Sequence, residues 1–170
     1  MSLPPYDKHA TDSFRRFYLL LPRDGDTTLL ILKLHLLVEE QVRAYVDERL
    51  ASPSALEAAK LECHQAICLA EALCSDDIHE NVWEAARKLN SLRNHIAHRL
   101  EPKGVVDRMD HISTLIGLPL ATLKDQEKTQ EQNAADNLSF AVSMLYNEVA
   151  LYVRRRPAQV VSLVPPSGDA

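Results

Sequence analysis

Apolar residues recur at steps of three and four along most of this chain, and glycine rarely interrupts them. One such stretch places a single stripe of apolar side chains at Ile78, Val82, Ala85, Leu89, Leu92 and Ile96. This spacing is that of an amphipathic α-helix. Only 4 of the 170 residues are glycine, and the helix formers Ala, Leu, Glu and Arg are common. The sequence therefore predicts an all-α protein.

Proline and glycine divide this pattern into an up-and-down bundle of four to five helices. The predicted helices cover, in chain order, about residues 29–50, 53–73, 78–101, 105–116 and 138–156. The stretch of residues 29–50 is apolar almost all round in its first half, so it is predicted to lie at the centre of the bundle.

The chain is predicted to hold one domain. Residues 1–24 are expected to be irregular or to contain a short helix, and residues 157–170, rich in proline and small residues, are expected to form a flexible tail. The helical bundle would then occupy residues 25–156.

Charge, cysteine content and motifs weigh against several classes of protein. The formal net charge is −5, so any nucleic-acid contact must come from a local patch. The longest apolar run is too short to span a bilayer, and no signal peptide is evident, so no membrane association is expected. Cys63, Cys68 and Cys74 are spaced for neither a disulfide framework nor a zinc site, which indicates reduced thiols in a cytoplasmic protein. Glycine-rich phosphate loops and hydrolase motifs are lacking.

The segment KLNSLRNHIAHRLEP, residues 88–102, places several polar groups in an otherwise apolar helix. Asn94 and His98 are four residues apart and share a face. Arg93 and His98 are five apart, which sets them about 140° apart around a helix axis. They can meet if the last turn before Pro102 frays, or if a second copy of the helix supplies the missing group across a two-fold axis.

The segment LRNHIAH resembles the signature of HEPN domains, an all-α superfamily found in many prokaryotic toxin and defence systems. That signature is an arginine, often followed by a polar residue such as asparagine, and then a histidine after four to six residues. The matching positions are Arg93, Asn94 and His98, and the resemblance covers roughly residues 25–155. It implies RNA cleavage without metal or cofactor at a site shared by two protomers of a homodimer. In such systems an antitoxin or other regulatory protein neutralises the enzyme.

The resemblance implies that His98 is the general acid or base, that Arg93 clamps the phosphate, and that Asn94 orients His98 or binds phosphate. This division of roles is chemically coherent, because RNA supplies its own 2′-hydroxyl nucleophile and imidazoles exchange protons near neutral pH. The alternative is a non-catalytic helical module of the same fold that binds protein or RNA. In that case Arg93 pairs with an acidic side chain, and His98 caps its own helix.

Four further residues are candidate RNA contacts. His95 and Arg99 share a face of the same helix, where they either line a groove beside the site or form a solvated surface. Arg154 and Arg155 belong to the cluster RRR, which either neutralises phosphates or complements the C-terminal end of a helix dipole.

Two histidines have neighbours at the spacing of a metal-ligand pair. His35 lies four residues before Glu39, and His64 lies four residues before Cys68. Since neither pair has an evident third ligand, no metal is expected. His35 and Glu39 are instead predicted to support the site as buried polar groups satisfied by another helix, with Glu39 as the preferred partner of Arg93.

Overall fold

The structure is a computed structural model that describes residues 8–56, 58–74, 78–117 and 125–153, with the backbone alone at residues 8–11. The described residues form six α-helices: α1 Lys8–Leu20, α2 Thr27–Asp47, α3 Cys63–Ala72, α4 Glu80–Ala97, α5 Val105–Leu115 and α6 Gln130–Val153. They contain no strand. The all-α bundle is confirmed, with six α-helices in these residues rather than four or five. None of the described helices combines the length and apolar character that crossing a membrane requires.

The core lies between α2 and α6, which pack against each other. Helix α2 also packs against α3 and α4, while α6 packs against α1 and α5. The stripe predicted for α2 is buried throughout: Leu34, Val38, Val42, Tyr45 and Val46. The stripe predicted for α4 is fully buried at Leu89 and Leu92, so this helix holds its place by apolar contacts in its middle turns.

Helix α2 begins at a side-chain cap. The Oδ1 atom of Asp26 accepts a hydrogen bond from the backbone N–H of Leu29 at 2.9 Å. The preceding Gly25 has φ +78°, a conformation that L side chains rarely adopt. Together these residues start the helix that carries one side of the candidate site described below.

Replacing Asp26 with alanine is expected to lower the free energy of unfolding by about 0.5–2 kcal/mol, because it leaves a backbone donor at the start of α2 without its partner. Asp26→Asn keeps an acceptor at the same position and should change stability by only a few tenths of a kcal/mol. Urea unfolding monitored by circular dichroism measures both effects. Equal loss in the two variants would contradict the capping role.

The helix predicted to start at Pro53 is wrong in its first ten residues. Pro53–Leu56 form one short 3-10 helix, a turn follows in which Lys60 has φ +46°, and α3 begins only at Cys63. The backbone N–H of Glu62 donates to the Gln65 side chain at 2.9 Å, which fixes the start of α3 there. As a result Cys63 is the first residue of a helix rather than a residue within one.

Candidate functional site

A cleft of about 490 Å³ opens between α2, α3 and α4. It is lined by polar side chains almost throughout: His35, Glu39, Arg43, Glu62, Cys63, His64, Asn90, Arg93, Asn94 and His98. All three residues of the Arg-polar-His motif are among them. The cleft also holds both residues that were predicted to support the motif.

Arg93 and His98 reach the same cleft within one chain because α4 ends between them. The last helical residue is Ala97, and His98 has φ −109° and ψ 10°, outside the α-helical range. Its backbone N–H still bonds to the carbonyl of Asn94 at 3.2 Å. The predicted end of the helix before Pro102 is therefore confirmed, and the departure from helical geometry lets both side chains line one cleft.

Asn94 holds Arg93 rather than His98. The Nη1 atom of Arg93 donates to Oδ1 of Asn94 at 2.9 Å. Both residues are half-buried, whereas His98 is exposed. Within the described residues the His98 imidazole makes no hydrogen bond, so both of its ring nitrogens are available to a ligand.

The predicted pairing of Glu39 with Arg93 is wrong. Glu39 Oε1 accepts from Nη2 of Arg43 at 2.6 Å and from its Nε at 3.0 Å. Arg43 lies four residues after Glu39 on the same helix, which is the favourable spacing for such a pair. It also donates to the carbonyl of Leu61 at 2.8 Å, which ties α2 to the segment before α3. In the described part of the chain Arg93 has no carboxylate partner, so its charge is available to an anion.

His35 is a buried polar group satisfied by another helix, as predicted. It is 5% exposed, and its Nε2 lies 3.0 Å from Oδ1 of Asn90 on α4. Since an amide oxygen only accepts, Nε2 carries the proton. Burial lowers the pKa of His35 because it disfavours the charged imidazolium, and this effect outweighs the opposing influence of Asn90 and Glu39.

The other predicted contacts lie away from the cleft or outside the described residues. His95 is half-buried, and its Nε2 lies 2.9 Å from the carbonyl of Lys103 in the connection to α5. Arg99 contacts the His95 ring. Neither residue lines the cleft, and His95 holds the α4–α5 connection in place. Arg154 and Arg155 lie outside the described residues.

Four cleft residues were not recognised as site residues from the sequence: Arg43, Glu62, Cys63 and Asn90. Asn90 precedes Asn94 by four positions, so the helical spacing that places Asn94 and His98 on one face also extends to Asn90. Cys63 was considered only together with Cys68 and Cys74, and the structure places it in the cleft as the first residue of α3. No disulfide joins Cys63, Cys68 and Cys74, all of which lie in the described part of the chain.

Cys63 carries a neutral thiol in this cleft. Burial raises the pKa of its thiol to about 11, and the nearby Glu39 carboxylate acts in the same direction. Arg43 and Arg93 act in the opposite direction but do not prevail. A thiol that stays protonated is a poor nucleophile, so the cleft is not arranged for cysteine-based catalysis.

Comparison with protein-family models finds no match for this chain, and comparisons with curated proteins and with solved structures find none either. A function is therefore inferred from the residues Arg93, Asn94 and His98 and from the geometry of the cleft.

Proposed function

We propose that this protein is a HEPN-like, metal-independent endoribonuclease that acts as a homodimer, with a site built on Arg93, Asn94 and His98. The observation that supports this proposal is that one cleft is lined by the exposed imidazole of His98 and by the guanidinium of Arg93, which pairs with no carboxylate among the described residues. The cleft volume of about 490 Å³ falls within the range of about 300–1,000 Å³ typical of ligand pockets. Membership of a toxin or defence system is part of the same proposal.

The proposed reaction is transesterification by the RNA itself. An imidazole removes the proton from the 2′-hydroxyl, and the 2′-oxygen attacks the adjacent phosphorus. The bond from phosphorus to the 5′-oxygen breaks, and a second group, which acts as an acid, protonates the leaving oxygen. The products are a 2′,3′-cyclic phosphate and a 5′-hydroxyl end.

Each side chain of the motif has a distinct part in this reaction. His98 exchanges the proton, since its exposed imidazole lines the cleft and no other described residue bonds to its ring nitrogens. Arg93 binds the phosphate oxygens through its planar fork and stabilises charge that develops on them. Asn94 accepts a hydrogen bond from Arg93, which fixes the guanidinium before substrate binds.

The reaction needs a base and an acid, and one chain contributes a single His98. A second copy related by a two-fold axis would supply another His98. This is the arrangement that the HEPN resemblance implies. His64 lines the same cleft and would be the second imidazole if one chain were sufficient.

The experiment is incubation of purified protein with an unstructured RNA in EDTA, alongside DNA of the same sequence. We expect cleavage of RNA alone, because DNA lacks the 2′-hydroxyl, and we expect the activity to elute at twice the 19.1 kDa chain mass. Equal cleavage of DNA would contradict the mechanism. Activity confined to the monomer would contradict the shared site and point to His64.

A non-catalytic module that binds a regulatory protein is the second candidate function. It is favoured by exposed apolar side chains on neighbouring helices, namely Phe14 and Tyr18 on α1 and Phe140 and Met144 on α6, which are 36–45% exposed. The Tyr18 hydroxyl donates to Ser143 at 3.3 Å, which places these residues near one another. The second candidate would be supported if the protein cleaves no RNA and binds a partner protein through Phe14, Tyr18, Phe140 and Met144.

A further inference from the structure

Three ligand-type side chains from two helices converge inside the cleft. One ring nitrogen of His35, one carboxylate oxygen of Glu39 and the sulfur of Cys63 all lie within 4.8 Å of one another. His35 and Glu39 were recognised as a pair with metal-ligand spacing but without a third ligand. Cys63 supplies that ligand from α3.

The two ligands on α2 each bond through one atom to a residue outside the cluster. His35 uses Nε2 to bond to Asn90, which leaves Nδ1 free to face Glu39. Glu39 uses Oε1 to bond to Arg43, which leaves Oε2 at 3.8 Å from His35 Nδ1. Metal-binding histidines and carboxylates in proteins are typically oriented by such outer partners.

The position of Cys63 suits a metal-bound thiolate. Cys63 is partly buried and is the first residue of α3, where the helix N-terminus favours a thiolate. A divalent cation that displaces the thiol proton would be bound by this thiolate and by the Glu39 carboxylate.

The separations are close to those of a tetrahedral site. With metal–ligand distances of about 2.0–2.3 Å, the ligand atoms of such a site lie about 3.3–3.6 Å apart. The three ligand atoms lie up to 4.8 Å apart, so the distances between them would have to shorten by at most about 1.5 Å. Rotation of the side chains can provide this change. The guanidinium groups of Arg43 and Arg93 oppose the charge of a cation, while Glu62 in the cleft lining favours it.

We propose that His35 Nδ1, Glu39 Oε2 and Cys63 Sγ bind a divalent transition-metal ion of the zinc type, with a further coordination position open to the cleft. A mixed nitrogen, oxygen and sulfur donor set suits zinc and cobalt rather than magnesium or calcium. The inference does not rest on ribonuclease activity, and the ion has no part in the proposed cleavage. Because a divalent cation displaces one thiol proton, it adds one net positive charge to the cleft, which favours anionic ligands.

The test is titration of metal-free wild-type protein with cobalt(II), followed by competition with zinc(II). We expect one ion per chain and the near-ultraviolet charge-transfer absorbance that a thiolate–cobalt bond produces. Cys63→Ser should abolish this absorbance and weaken binding by more than about 100-fold, since removing even an outer partner of a ligand costs about 10- to 100-fold. Cys68→Ser is the matched control, because it removes the exposed thiol that lies 3.7 Å from His64, and it should bind as wild type does.

Two results would overturn the inference. One is an absence of thiolate–cobalt absorbance in folded wild-type protein. The other is absorbance that survives in Cys63→Ser and disappears in Cys68→Ser, which would place the ion at His64 and Cys68. If Cys63→Ser fails to fold by circular dichroism, Glu39→Gln replaces it as the test, because the amide is nearly isosteric and should weaken binding by at least about 10-fold.

Discussion

Replacing His98 with alanine is expected to reduce the rate of RNA cleavage by about 10²- to 10⁴-fold, the usual contribution of a general acid or base. The side chain is exposed and follows the last residue of α4, so its removal leaves no cavity. We therefore expect the free energy of unfolding to change by less than about 1 kcal/mol. Cleavage rates under single-turnover conditions and thermal unfolding of the same samples measure the two quantities separately.

The matched control is His111→Ala. His111 is another exposed histidine, but it lies on α5 outside the cleft, and its replacement should leave the cleavage rate unchanged. If His98→Ala cleaves at the wild-type rate, His98 is not the acid or base. If it is inactive and also unfolds at a much lower temperature, the residue has a structural role instead.

Replacing Arg93 with alanine is expected to reduce cleavage by about 10²- to 10³-fold, the typical effect of removing one preorganised donor to a developing anion. Arg93→Lys should recover only part of this loss, because an ammonium group keeps the charge but lacks the planar fork that binds two phosphate oxygens. Measurement of single-turnover rates and RNA affinity for both variants separates loss of binding from loss of catalysis.

Arg108→Ala controls for the loss of one positive charge. Arg108 is exposed on α5 and does not line the cleft, so any effect should be small and should disappear at higher salt. A comparable loss of activity in Arg93→Ala and Arg108→Ala would show that general charge, rather than a clamp in the cleft, accounts for the effect.

Metal removal distinguishes the two proposals made for the cleft. Cleavage that depends on Arg93 and His98 is expected to continue in EDTA. The ion proposed at His35, Glu39 and Cys63 is detected by spectroscopy and not by activity. Failure of either proposal therefore leaves the other testable.

Helical periodicity predicted α2 and α4 and most of α6, but α6 begins at Gln130 rather than at about residue 138, and Ala134 and Ala135 in its first turns are buried. The stripe predicted for α2 is buried throughout, and that of α4 is buried up to Leu92, whereas Ile96 near the helix end is only half-buried. The start of α3 could not be predicted in the same way. The helix was predicted to start at Pro53, but the left-handed conformation of Lys60 and the cap at Glu62 delay it to Cys63. This segment therefore contains two possible helix starts, at Pro53 and at Cys63, and the folded chain uses the later one.

The motif residues could be predicted, and their partners could not. Arg93, Asn94 and His98 line one cleft because α4 ends before Pro102, which the sequence indicates. Glu39 pairs with Arg43 rather than with Arg93 because the guanidinium of Arg43 lies closer to the carboxylate in the folded protein. Spacing along one helix gives Arg43 that advantage, whereas the approach of α4 to α2 is set by packing between helices.

The chemistry of the RNA ends is the most direct test of the proposed site. Wild-type protein incubated with RNA in EDTA should produce fragments with 2′,3′-cyclic phosphate and 5′-hydroxyl ends, identified by mass spectrometry, and His98→Ala should not. Such ends arise only when the 2′-oxygen is the nucleophile. Fragments with 3′-hydroxyl and 5′-phosphate ends, or intact RNA in the presence of folded dimer, would contradict the proposal.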